Sequence, residues 1–146
     1  MNMVQVYIKG QEDKELSSFL RYYPVRIKNI GMDAFFDRQV VYDFKDDRNH
    51  ADVAKCVAKM LIKVVGERTA VHGTKVKKDE RAKRLKEKNN IEVDANFFKN
   101  KIVCIWDDVV TTGTSFCAYT AQLEQVGAHV TNGIFLGKTS YKYVQQ

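Results

Sequence analysis

The chain has 146 residues, of which 45% are apolar and 29% are charged, and its formal net charge is +6. This length and balance predict one globular domain spanning residues 1–146 and exclude a largely disordered chain. No apolar run approaches the roughly 20 residues needed to cross a bilayer. The start of the chain lacks a basic stretch followed by an apolar one, so we expect a cytoplasmic protein.

The excess positive charge favours an anionic partner such as a sugar phosphate, a nucleotide or a nucleic acid. The chain has 3 cysteines and 3 histidines, and they are scattered without CxxC or zinc-ligand spacing. This distribution predicts reduced thiols in the core, at Cys56, Cys104 and Cys117, and no structural metal site.

The first third of the chain predicts two strands around a short helix. Alternating apolar residues from Val4 to Ile8 predict a half-buried strand that ends at Gly10. Residues 12–22 place apolar side chains at helical spacing, and Pro24 would end that helix. The β-branched and aromatic run RQVVYDF, residues 38–44, predicts a second strand.

The remainder alternates helices with strands. Apolar residues three to four positions apart predict a helix over residues 48–65, closed by Gly66. The apolar run KIVCIW, residues 101–106, is typical of a parallel strand that is buried on both faces. The other predicted elements are a strand over residues 68–72, a helix over 115–126, a strand over 129–136 and a polar tail over 138–146. Together they predict an α/β fold with a mostly parallel sheet flanked by helices.

Residues 75–88 carry most of the excess charge, with eight basic and three acidic side chains. Three interpretations remain open for this basic segment. It is a solvated charged helix or loop, a lid that brings lysine or arginine to a pyrophosphate group, or a segment that binds nucleic acid through phosphate contacts. Aromatic residues do not alternate with its charges, so nucleic-acid binding has the weakest support.

The segment VCIWDDVVTTGTS, residues 103–115, predicts an anion-binding site. Asp107 and Asp108 follow four apolar residues, so we expect both to emerge at the carboxyl edge of the sheet, where open α/β sheets bind ligands. Gly113 permits a tight turn before a helix whose first amides lack intrahelical partners. Hydroxyl groups surround this glycine, on Thr111, Thr112, Thr114 and Ser115.

These groups together suit a 5-phosphorylated ribose. The helix amides and the helix dipole favour phosphate, and two adjacent carboxylates suit ribose hydroxyls or a magnesium shell. The alternative is an ordinary turn from a strand to a helix, in which the aspartates, serine and threonines only cap the helix.

The same segment resembles the PRPP-binding motif of the type I phosphoribosyltransferases (PRTases), which has four apolar residues, two acids, two mostly apolar residues and a Thr/Ser-Gly-Thr/Ser loop. The resemblance covers about residues 101–138. It implies that Asp107 and Asp108 are the catalytic pair, which binds the ribose hydroxyls and holds Mg²⁺ through water or through substrate. It also implies that residues 111–115 hold the 5-phosphate while a nitrogenous base displaces pyrophosphate from PRPP.

The chain departs from this family in two ways. Members that use 6-oxopurines carry an aspartate where this chain has Thr111, which argues against that substrate class. The chain also looks one βα unit short, because only one short strand is available for the loop that holds pyrophosphate. The candidates for that loop or for a lid are Gly73, Thr74, Lys75, Lys77, Lys78 and Arg81.

The shortened chain leaves a second function open, a non-catalytic PRTase-like regulator that binds nucleotide together with nucleic acid or a partner protein. A homodimer would be one way to complete the sheet. Tyr141 and Tyr143 follow the last predicted strand, where the resemblance implies contacts to the base, although a frayed tail is the alternative. Trp106 is expected to pack under the sheet edge, with stacking against a base as the alternative.

Overall fold

The computed structural model describes residues 3–65 and 93–144. The described residues form a four-stranded mixed sheet with helices on both faces. The elements are β1 (Val4–Gln5), β2 (Glu15–Tyr22), α1 (Met32–Lys45), α2 (His50–Val65), α3 (Ala95–Phe98), β3 (Ile102–Val110), α4 (Thr114–Gln125) and β4 (His129–Thr139). Among these residues no helix is long and apolar enough to cross a membrane.

The strand order is β1-β2-β4-β3, so β4 lies in the centre between β2 and β3. β2, β4 and β3 are parallel, whereas the two-residue β1 is antiparallel to β2. Since parallel strands share one direction, β2, β4 and β3 all end at the same edge of the sheet. The predicted α/β class is confirmed, with a mixed sheet in which three of the four described strands are parallel.

Two apolar clusters cover the two faces of the sheet. The α4-side core contains Ile8, Leu16, Phe116, Leu123 and Phe135, among other residues. The α1-side core joins the other face to helices α1 and α2, with Phe19, Val41, Val57, Ile134 and Leu136. The sheet is therefore the middle layer of three, which is why its strands carry apolar residues on both faces.

The prediction of a helix over residues 12–22 is wrong, because Glu15–Tyr22 is strand β2. This strand lies inside the sheet, so Leu16 enters the α4-side core while Phe19 enters the α1-side core. Apolar residues on both faces of a covered strand imitate the three-to-four spacing of a helix. Ser18 is completely buried and donates its hydroxyl to the Leu20 carbonyl at 2.8 Å, which explains how polar residues are tolerated there.

The predicted strand over residues 38–44 is also wrong, because this segment is the second half of helix α1. Val41 is completely buried while its neighbour Val40 remains 37% exposed, as expected when only one face of a helix packs. Asp33 in the first turn and Lys45 in the last turn match the helix dipole. The β-branched pair gave a misleading local signal, which the packing of one helical face overrides.

Helix α3 was not predicted, and the remaining elements follow the sequence predictions more closely. Helices α2 and α4 are confirmed within one or two residues at their described ends. Strands β3 and β4 are confirmed but extend further, to Val110 and Thr139, and β1 is shorter than predicted. Cys56 is exposed rather than in the core, whereas Cys104 and Cys117 are half-buried. The predicted strand over residues 68–72, the helix cap Gly66 and the basic segment lie outside the described residues.

Helix α4 packs so closely on the sheet that position 133 requires glycine. A Cβ atom at Gly133 would lie 2.6 Å from Phe116 Cε2 and 2.8 Å from Leu16 Cδ2. We expect Gly133→Ala to lower the free energy of unfolding by about 1–3 kcal/mol, the usual cost of overpacking a core. Chemical denaturation would measure this loss. Thr131→Ala on the exposed part of the same strand is the control and should change stability by less than about 0.5 kcal/mol; equal stability of the two variants would contradict the packing.

Candidate functional site

The turn between β3 and α4 forms the centre of the candidate site, and we call residues 111–115 the β3–α4 loop. The strand ends at Val110 and the helix begins at Thr114, so the chain reverses within three residues. Gly113 is the N-cap residue and adopts a left-handed conformation with φ +87°. Its carbonyl accepts the amide of Cys117 at 2.9 Å. The amides of residues 114–116 precede that first intrahelical bond, so they point out of the helix end.

The side chain of Ile8 packs against the turn at Gly113. A Cβ atom at position 113 would lie 2.7 Å from both Cδ1 and Cγ2 of Ile8, which is itself 5% exposed. The apolar side chain thus contacts one face of Gly113, and the four hydroxyl-bearing residues of the β3–α4 loop remain exposed. Sequence reasoning missed Ile8, because nothing in a strand near the start of the chain indicates contact with residue 113.

The hydroxyl groups of the loop form two pairs. Thr111 Oγ1 lies 2.8 Å from Oγ1 of Thr139, at the end of β4. Thr112 Oγ1 lies 2.9 Å from Thr114 Oγ1, across the glycine. The first pair joins the loop to the sheet, whereas the second is exposed and lies within the loop. The predicted phosphate-binding threonines therefore have different surroundings.

Lys138 brings a positive charge to the loop. Its ammonium donates to the Thr111 carbonyl at 3.2 Å and to the Thr139 carbonyl at 3.3 Å. This contact follows from the register of the sheet, which places Val110 at the end of β3 beside Lys138. Sequence reasoning assigned Lys138 to a polar tail. Aligning the ends of the two parallel strands would have brought it beside the loop.

The two aspartates occupy different positions around the site. Both lie within β3, which continues to Val110, rather than after its end as the sequence predicted. Asp107 lines a cavity of about 130 Å³ together with Val109, Val110, Phe116, Phe135 and all five residues of the β3–α4 loop, whereas Asp108 does not line it. Asp107 is the register partner of Phe135, which lines the same cavity. The volume is enough for several water molecules or one phosphate group.

Both carboxylates accept hydrogen bonds from the backbone. Asp107 Oδ1 accepts from the Asp108 amide at 2.8 Å, and Asp108 Oδ1 accepts from the Val109 amide at 2.7 Å. Each side chain is half-buried. These local bonds hold the carboxylates close to the strand, so Asp107 sits beside the cavity with a restricted orientation.

The aromatic residues proposed to contact a base lie at the same edge of the sheet but not in the cavity. Tyr143 packs edge-on against Tyr23, with 5.4 Å between the ring centroids. The Arg26 guanidinium lies 4.5 Å from the Tyr141 ring centroid. Both tyrosines thus pack against the segment that follows β2. Trp106 packs edge-on against Phe19 at 6.1 Å in the α1-side core, consistent with its expected place under the sheet.

Tyr22 ends strand β2 at this edge. Burial, followed by a hydrogen bond with Tyr42, raises the pKa of Tyr22 to about 12.

Six predicted residues of a pyrophosphate loop or lid lie outside the described residues: Gly73, Thr74, Lys75, Lys77, Lys78 and Arg81. The residues that line the cavity come from β3, the β3–α4 loop, α4 and β4. Comparisons of the chain with protein-family models, with curated proteins and with solved structures find no match.

The contact between Ile8 and Gly113 can be tested against a second left-handed glycine. Gly127 has φ +93°, but a Cβ atom there would meet nothing closer than 3.6 Å. Gly127→Ala should cost about 1–2 kcal/mol from backbone strain alone. Gly113→Ala should cost about 1–3 kcal/mol more, because the new methyl group overlaps Ile8. Urea denaturation of both variants measures the difference, and equal losses of stability would show that Ile8 does not restrict the turn.

Proposed function

We propose that the chain is a PRTase-like protein that binds PRPP, or a nucleoside 5-phosphate, at the β3–α4 loop. One observation carries this proposal: a single cavity is lined by Asp107 and by every residue from Thr111 to Ser115. A strand-to-helix turn with capping residues needs no such cavity. A sugar phosphate needs both an anion-binding turn and a nearby acceptor for hydroxyl groups.

The 5-phosphate would bind at the start of α4. A helix of 12 residues offers outward-pointing amides and a positive dipole end at this position. The hydroxyl groups of Thr112, Thr114 and Ser115 are exposed beside these amides. Lys138 adds a full positive charge within hydrogen-bond distance of the loop backbone. These donors suit a dianion better than a neutral ligand.

The ribose would bind next to Asp107. The Asp107 carboxylate can accept hydrogen bonds from two neighbouring sugar hydroxyls. Such charge-assisted hydrogen bonds are stronger than those between neutral groups. Asp108 belongs to the same motif but does not line the cavity. We therefore assign the main sugar contact to Asp107 and a supporting one to Asp108.

Magnesium is the cofactor that we propose to accompany PRPP. The described residues contain no group of three or more histidine, cysteine or acidic side chains suited to a metal ion. Mg²⁺ is usually held by one or two carboxylates together with substrate phosphates and water. Asp107 and Asp108 fit that limited donor set, either directly or through water. When bound, the ion would neutralise negative charge on the pyrophosphate group.

The proposed reaction is displacement of pyrophosphate from PRPP by a nitrogenous base. The chain would fix the phosphate at the β3–α4 loop and the ribose at Asp107, so that C1 of the sugar is presented to the base. The carboxylate would also stabilise positive charge that develops on the sugar ring. Thr111 cannot act as a carboxylate base, which keeps 6-oxopurines outside the proposed substrate class.

A non-catalytic regulator is the second candidate, since the sequence looks one βα unit short of the phosphoribosyltransferase pattern. Such a protein would bind a nucleotide or PRPP through the same residues without turnover. The basic segment would then serve a nucleic acid or a partner protein.

Asp107 and Asp108 should differ in their effects on ligand affinity. Asp107→Asn is expected to weaken ribose 5-phosphate and PRPP binding by about tenfold, since a charge-assisted contact of roughly 1.5–3 kcal/mol is lost. Asp108→Asn should have a smaller effect. Isothermal titration calorimetry with Mg²⁺ measures both affinities. Asp33→Asn, an exposed position in α1, removes the same charge and should leave affinity unchanged; unchanged affinity in Asp107→Asn would place the ligand elsewhere.

Turnover separates the two candidate functions. The protein, PRPP and Mg²⁺ are incubated with a panel of purine, pyrimidine and orotate acceptors, and released pyrophosphate is measured. A transferase should release pyrophosphate with at least one acceptor, and Asp107→Asn should abolish most of that release. Saturable binding without pyrophosphate release would favour the regulator. Absence of both would contradict the proposed site.

A further inference from the structure

We propose that Thr139 is a positioning residue that anchors the β3–α4 loop through the hydroxyl group of Thr111. This inference rests on the proposed function, because the anchored loop is the one that would bind phosphate. It changes the role of one motif residue: Thr111 holds the loop to the sheet, and the phosphate contacts fall to the residues that follow it.

Burial distinguishes Thr139 from the other hydroxyl residues of the site. Thr139 is 7% exposed, whereas the loop threonines are exposed to solvent. A buried hydroxyl group needs a protein partner, since water does not reach it freely. Thr111 Oγ1, at 2.8 Å, supplies that partner. The bond forms between a loop residue and the central strand, so it fixes the loop relative to the sheet.

Two neighbouring contacts also hold the loop, one at Thr111 and one at Gly113. The Lys138 ammonium reaches the Thr111 carbonyl at 3.2 Å, so both the side chain and the backbone of Thr111 are held by the end of β4. Ile8 supports Gly113 from the other side. Thr112, Thr114 and Ser115 have no comparable tie to the sheet among the side-chain bonds of the described residues. The loop is therefore fixed at Thr111 and Gly113, and its remaining donors face solvent.

The arrangement separates anchoring from ligand contact. The Thr111 hydroxyl group bonds Thr139, so it would hold the loop in place and would not contact a phosphate oxygen. An anchored loop presents its amides without first losing conformational freedom, so the anchor should increase affinity without touching the ligand. Loss of the anchor and loss of a direct contact therefore have different consequences in a set of variants.

The first test is the affinity for ribose 5-phosphate of Thr139→Val and Thr139→Ser, measured by titration calorimetry. Valine keeps the shape and removes the hydroxyl group, so affinity should fall about fivefold, the effect of one lost hydrogen bond. Serine keeps the hydroxyl group and should bind within about twofold of the unaltered protein. Thr131→Val, on the exposed part of β4, controls for valine substitution in this strand. Equal weakening by valine and serine at position 139 would overturn the proposal.

A double-mutant cycle distinguishes the anchor from direct contact. Thr111→Val should weaken binding as much as Thr139→Val, and the double variant should be no weaker than either single one, because the same bond is lost in each. Additive losses would show that the two residues act independently. A loss in Thr111→Val without one in Thr139→Val would show that Thr111 contacts the ligand itself.

A readout without ligand keeps the anchor testable if the proposed function fails. Should the unaltered protein bind neither ribose 5-phosphate nor PRPP, the proposed function is wrong. The anchor is then judged from backbone ¹⁵N order parameters at Thr112, Gly113 and Thr114. They should fall in Thr139→Val toward the values of a flexible loop, below about 0.6, and remain high in Thr139→Ser. Unchanged order parameters in Thr139→Val would overturn the anchor.

Discussion

The left-handed turn at Gly113, packed against Ile8, is the constraint on which the site depends. A side chain at this position would overlap Ile8, and a positive φ is unfavourable for any residue with a Cβ atom. The turn lets the chain leave the sheet at Val110 and begin a helix at Thr114. It also sets the direction in which the helix presents its first amides. The proposed anion-binding face is thus fixed by an apolar contact on the opposite side of the loop.

The parallel sheet supplies the rest of the site from one edge. β3 and β4 end side by side. Lys138 and Thr139, at the end of the central strand β4, therefore contact the β3–α4 loop that follows β3. Neither residue belongs to the recognised motif. The motif is continuous in sequence, but its nearby positive charge and its bond to the sheet come from β4, more than twenty residues away. Only the topology of the sheet brings β4 into contact with the motif.

The sequence permitted reliable prediction where one local signal dominated. The buried run before Asp107, the glycine turn and the apolar face of α4 each indicate one kind of local structure, and both β3 and α4 were predicted, although β3 continues to Val110. Strand β2 was missed because a strand covered on both faces loses its alternating pattern. Helix α1 was missed because Val40 and Val41 look β-like locally, although only Val41 packs. Contacts of Ile8 and Thr139 depend on chain segments far apart, and no local pattern encodes them.

The aspartate pair shows what strand geometry adds to a motif. In sequence the two acids look equivalent, yet β3 continues past both of them, and only Asp107 reaches the cavity beside the loop. Asp108 is satisfied by the amide of the next residue. Because β3 continues to Val110 and pairs with β4 through Val109 and Val110, both acids keep strand geometry and take unequal positions around the β3–α4 loop.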